Sequence, residues 1–195
     1  MIENLSQMMP IVRDIATTIA AGAAAYVGLA GLSAWKKQLK GKADYELARQ
    51  YLKAIYKIRN EINKYVRNPS IPIYEVRAAR KEEGLEPEDL SGMNKETNKL
   101  VYARRWRRVM GATEELETVL LEAEAVWGHA AVEAQRDFDA CIKELYSTLM
   151  AFLGERPQRS VDIDDIIYAT SRSEFTKKID TSITKVEEYL KKHLQ

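Results

Sequence analysis

The stretch "IATTIAAGAAAYVGLAGLSAW", Ile15 to Trp35, holds 21 residues without a charge and runs straight into "KKQLKGK". At about 1.5 Å of rise per residue, a helix of that length spans roughly 30 Å, the hydrocarbon thickness of a bilayer. Its far end fits a membrane boundary. Trp35 stands where an amphipathic ring prefers to lie, and Lys36, Lys37, Lys40 and Lys42 follow at once. Residues 1–14 hold only Glu3, Arg13 and Asp14 as charges, so the lysine excess orients the N-terminus outside and the rest of the chain in the cytoplasm. A cleaved signal peptide fits poorly, because no basic n-region precedes the apolar run and the run is too long.

The stretch is rich in small residues: eight alanines, three glycines, two threonines and a serine against two leucines and two isoleucines. Inserted alone, such a helix is marginal. Ala20, Ala24 and Gly28 are spaced by four, the small-xxx-small pattern that lets membrane helices approach closely, and Ala23, Val27 and Gly31 form a second line. The stretch therefore reads as an anchor that associates with copies of itself. The competing reading is a buried or loosely amphipathic helix of a water-soluble domain.

Setting the first 35 residues aside leaves about 160 for a domain with a real core. Nine glycines and five prolines among 195 residues suit helices better than the many turns of a β-sandwich. The lone Cys141 excludes a disulfide framework or a cysteine zinc site within one chain. The net charge of +1 hides strong segregation. Residues 36–68 carry 10 Lys/Arg against 3 Asp/Glu, and residues 111–155 carry 2 against 10.

From Ala43 onward the apolar pattern is helical. Tyr51, Ile55, Ile58, Ile62 and Tyr65 recur every three or four residues, and "RNPSIP" ends that helix, which only Gly41 separates from the anchor. Residues 69–95 read as an irregular loop with room for one helical turn at Tyr74–Lys81. A long helix comes next over about 96–127, striped by Val109, Ala112, Leu116, Val119, Ala123 and Val126, with "WGH" at Trp127–His129 as a break. Phe138, Ile142, Leu145, Leu149 and Phe152 mark the next helix, closed by "GERP". Ser171 and Glu174 match a capping box, after which Phe175, Ile179, Ile183, Val186 and Leu190 line the last helix. The predicted fold is all-α: an extracytoplasmic tail over 1–14, a transmembrane helix over 15–35, a basic junction over 36–42, and a cytosolic bundle of about four amphipathic helices over 43–195.

The run "WKKQLKGK" at Trp35–Lys42, then "YELARQYLKAIYKIRNEI" and "VRNP", resembles a family of uncharacterised bacterial single-pass membrane proteins. The likeness extends to "LEAEAVWG" at Leu121–Gly128 and "VEEYLKKHL" at Val186–Leu194, but not to residues 69–95 or 155–172. The resemblance implies a bacterial inner-membrane protein with a cytosolic helical domain, and it carries no catalytic residues.

Five candidate sites remain. "ARRWRR" places Arg104, Arg105, Trp106 and Arg108 where they could hold a phosphate or stack a base. The favoured reading instead packs Trp106 and leaves the arginines solvated or paired with the acidic 111–155 segment. Lys36, Lys37, Lys40 and Lys42, with Trp35, are placed to meet anionic lipid. Asp162, Asp164 and Asp165 could hold a cation but suit helix capping better. Cys141 reads as a buried thiol, and His129 with Glu133 as a surface contact. No phosphate loop, paired histidine ligands or Ser/His/Asp order is present, so no enzyme, metal or cofactor is expected. The expected function is a non-enzymatic membrane protein whose cytosolic domain oligomerises or binds a protein partner, as scaffold, sensor or effector in bacterial defence or stress. The alternative is a nucleic-acid or nucleotide-binding module.

Overall fold

A computed structural model describes residues 2–87, 95–154, 163–168 and 173–194. All regular structure among them is helical. The chain divides into two compact units, Met1–Asp44 and Tyr45–Gln195. Helix α1 runs from Ile2 to Glu61, through Gly41 without a break.

In the second unit α1 supplies Leu47, Ala48, Tyr51, Ala54, Ile55 and Ile58 to a buried cluster. It then passes into a π-helix, Ile62–Val66, closed by the Arg67 N–H donating to the Ile62 carbonyl at 2.8 Å. The extra residue in a π turn rotates the next side chains about the helix axis. Val66 and Arg67 are fully buried, and Tyr65, which the 3–4 spacing places on the core face, is only half-buried.

The segment 69–95, expected to be irregular apart from one helical turn at Tyr74–Lys81, contains helix α2 over that turn, Ile73–Glu82. Pro72 sets its extended entry at φ −66° and ψ 147°. Gly84, at φ +72°, closes it with Leu85 N–H to the Arg80 carbonyl and Gly84 N–H to the Lys81 carbonyl. This is the left-handed glycine stop of a Schellman turn. Val76 and Ala79 pack on Val101 in a small satellite cluster. Ten residues of mixed polarity leave no sustained apolar period here, and the caps fix the bounds of the helix.

Helix α3, Lys95–Trp127, ends where expected, at Gly128 with φ +81°. A short α4, Ala130–Ala134, leads into α5, Arg136–Phe152, and Gly154 comes after it at φ +77°. The five-residue α6, Ile163–Ile167, precedes α7, Glu174–Leu190, which ends in a 3-10 turn at Lys191–His193. All five predicted stripe residues of α7 are buried. The α3 stripe drifts: Leu120 is buried and Val119 only partly, while Val126 is 51% exposed. In α5, Cys141 takes the buried position and Ile142 lies at its edge. Ser171 of the expected capping box lies outside the described residues. The N-cap of α7 is Ser173, whose hydroxyl accepts from the Thr176 N–H at 3.1 Å. The main core draws on α1, α3, α5 and α7, and Tyr51 ties α1 to α4 by donating to the Ala131 carbonyl at 2.8 Å.

Candidate functional site

In the first unit α1 is one helix long and apolar enough to cross a membrane, and the chain buries none of its apolar window. Ile19, Tyr26, Val27 and Leu29 are each at least two-thirds exposed, and Leu32 and Trp35 about half. In water each such side chain forgoes about 1.5–3 kcal/mol of burial. A core helix hides one face at least; this segment hides none. Its polar groups are modest: the Ser33 hydroxyl donates to the Ala30 carbonyl at 2.8 Å, which suits a hydrocarbon surrounding. Ala24, Gly28 and Gly31 are exposed, and a Cβ added at either glycine would meet open space. The Ala20 side chain lies outside the described residues.

Lys36, Lys37, Lys40 and Lys42 are exposed, and none takes part in a hydrogen bond or ion pair among the described residues. In the second unit several lysines bridge helices. There Lys57 pairs with Glu115, Lys178 with Glu144, and Lys185 with Asp137. The acidic 111–155 segment is thus met by lysines of α1 and α7.

The arginines of "ARRWRR" pair elsewhere than expected. Arg104 and Arg107 both hold Glu82, at 2.7 and 2.8 Å, and Arg107 also reaches Glu83. These hydrogen bonds pull the Glu82 carboxyl below the usual range. Arg108 holds Glu61 at 2.7 Å and stacks 3.9 Å over the Tyr65 ring. Arg105 is 2% exposed. Its Nε donates to Glu75 at 2.8 Å, Nη1 to the Asn68 carbonyl at 2.7 Å, and Nη2 to the Ser70 carbonyl at 2.5 Å. Trp106 packs on Tyr146, with ring centroids 4.9 Å apart. The start of α3 faces α2 and the end of α1, so the nearest carboxylates come from there and not from the later acidic turns. A phosphate at this cluster would have to displace Glu82 and Glu61.

A second buried arginine carries no signal in the apolar spacing. Arg67, in "VRNP", is fully buried and makes five hydrogen bonds. Nε donates to the Ile166 carbonyl and Nη2 to those of Asp165 and Tyr168, the loose carbonyls at the end of α6. The remaining two bonds go to the hydroxyls of Thr176 and Ser173. Burial pushes the guanidinium pKa down, against the raising charges of Asp165 and Asp180. Asp165 in turn accepts from the Glu174 and Phe175 N–H groups, at 3.1 and 3.0 Å. Desolvation alone would raise the Asp165 carboxyl; these N–H donors, Ser173 and Arg67 outweigh it and lower it. Asp165 is therefore a helix cap. Asp162 and the side chain of Asp164 lie outside the described residues.

The smaller candidates are local. His129 bridges the α3–α4 break, 2.8 Å from Glu124 and 3.2 Å from Glu133. The Glu124 hydrogen bond raises its pKa. Cys141 lines a cleft of about 360 Å³ between α5 and α7, with Asp137, Lys178 and Lys185 at its rim, and burial pushes its thiol pKa up. Among the described residues no group of three His, Cys, Asp or Glu side chains is placed to hold a metal ion.

No family model, curated protein or solved structure matches this chain. The functional reading rests on two kinds of surface. One is an apolar helix leading into uncommitted lysines. The other is a helical domain whose buried arginines, Arg67 and Arg105, are spent on fixing its own chain turns.

Proposed function

We propose that the chain is a single-pass protein of the bacterial inner membrane. Residues 15–35 cross the bilayer with the N-terminus outside, and residues 43–195 form a cytosolic bundle of about four amphipathic helices. The bundle acts by binding, assembling with its own copies or holding a protein partner, and not by catalysis. The observation that carries this reading is the complete exposure of the apolar window of α1, in a chain whose second unit buries its own apolar stripes. Residues such as Tyr26 and Leu29 need a cover, and hydrocarbon supplies one on every side of the helix at once. Ala20, Ala24 and Gly28 would then let a second copy's helix approach closely.

The test is fractionation of cells expressing the full chain, with an alkaline carbonate wash of the membranes. A spanning helix keeps the protein in the pellet, and detergent releases it. Release by carbonate alone would mean that the apolar face is covered by protein.

A further inference from the structure

Resting on that membrane reading, we infer that residues 35–42 form a collar that selects anionic lipid headgroups of the cytoplasmic leaflet. Three observations point there. The four lysines are exposed and take no partner among the described residues, whereas Lys57, Lys178, Lys185, Arg104 and Arg108 of the second unit hold carboxylates of neighbouring helices. Within residues 36–43 there is no Asp or Glu, and the first carboxylates, Asp44 and Glu46, come one helical turn after Lys40 and Lys42. Trp35 and Leu39, at 59% and 56% exposed, keep an apolar surface beside the charges.

Helical phase separates a lipid from a protein partner. At about 100° per residue, Lys36, Lys40 and Lys37 fall within an arc of roughly 100°, and Lys42 lies on the opposite side. Leu32, Trp35 and Leu39 occupy an arc of roughly 60° between them. A single protein patch would face only one of these arcs. A leaflet surrounds the helix and meets all of them. From Lys36 to Lys42 the helix climbs about 9 Å, comparable to the headgroup layer outside the hydrocarbon. The lysine stems can lie along the acyl boundary while their ammonium groups reach phosphate.

The test uses the full chain reconstituted in vesicles containing brominated phosphatidylglycerol or brominated phosphatidylcholine. The tryptophan quenching that disappears on Trp35→Phe reports this collar. Each lysine near the surface contributes a factor of roughly five in local attraction for anionic lipid. Trp35 should therefore be quenched with at least about a fivefold preference for phosphatidylglycerol. The preference should fall to about one in Lys36→Gln/Lys37→Gln/Lys40→Gln/Lys42→Gln and survive the corresponding Lys→Arg replacements. All four positions are exposed, so folding is not at stake. Equal quenching by the two lipids, or a preference that persists in the Gln variant, overturns the collar while leaving the anchor standing. Absence of quenching by either lipid overturns the collar together with the membrane reading.

Discussion

Replacing Arg67 by Met should loosen the α6–α7 corner more than any other single change at the "RNPSIP" turn. Met keeps the length and apolar contact of the stem and removes five hydrogen bonds. The Ser173 hydroxyl still donates to the Asp165 carbonyl and accepts from Thr176 N–H, so those groups stay satisfied. The carbonyls of Ile166 and Tyr168 lose their Arg67 donors, at about 1–3 kcal/mol each. Removing a buried charge returns part of that cost. The net expectation is a loss of about 3 kcal/mol, or roughly 6–12 °C in midpoint for a domain of this size. Arg67→Lys should fall between the two, because an ammonium cannot reproduce the planar fork. Thermal unfolding of the full chain in mild detergent, monitored by circular dichroism, measures the shift. Hydrogen exchange should show it concentrated in residues 163–168 and 173–177. A loss under about 1 kcal/mol, or unchanged exchange in those segments, would refute the reasoning.

Three further outcomes are expected. Glu75→Ala leaves the Arg105 guanidinium buried without its carboxylate and should cost about 3–5 kcal/mol, while Arg105→Met/Glu75→Leu recovers much of it, read by the same unfolding assay. The pKa of His129 is raised by Glu124, so its clamp across α3 and α4 is full below the unfolded imidazole pKa and fades as pH rises through the folded one; His129→Gln should shrink the midpoint difference between pH 6 and pH 8.5, while Glu133 keeps its contact with Arg136. Replacing Ala24 and Gly28 by Leu should reduce crosslinked multimers in membranes if the small face packs, and unchanged multimers would move assembly to the helical domain.

The sequence is most informative where one period governs a whole element. The α7 stripe from Phe175 to Leu190 is buried as its spacing requires, and the breaks at Gly128 and Gly154 fall where left-handed backbone needs glycine. Periodicity fails where the helix type changes. The π turn at Ile62–Val66 puts Val66 and Arg67 inward in place of Tyr65, and nothing in the apolar spacing announces the extra residue. It fails again at Val119 and Val126, where α3 drifts and Leu120 takes the core position. The packing of Trp106 is legible, but the arginines' partners are not, because nothing in the sequence says that the helical turn at Tyr74–Lys81 lies against α3 with Glu75 and Glu82 facing it. Arg67 is concealed because "VRNP" reads as a stop, and the carbonyls that need its guanidinium lie about a hundred residues away. The collar lysines are legible at once, since exposed cations beside an apolar run require no tertiary partner to be recognised.

The central claim is that residues 15–35 put the two ends of the chain on opposite sides of a bilayer. Two-sided thiol labelling tests it most directly. In a Cys141→Ser background, single cysteines at Asn4→Cys and at the exposed Gln50→Cys are treated with a membrane-impermeant maleimide in intact spheroplasts and again after permeabilisation. The account predicts that position 4 reacts in intact spheroplasts and position 50 only after permeabilisation. Reaction of both positions under the same condition would contradict it.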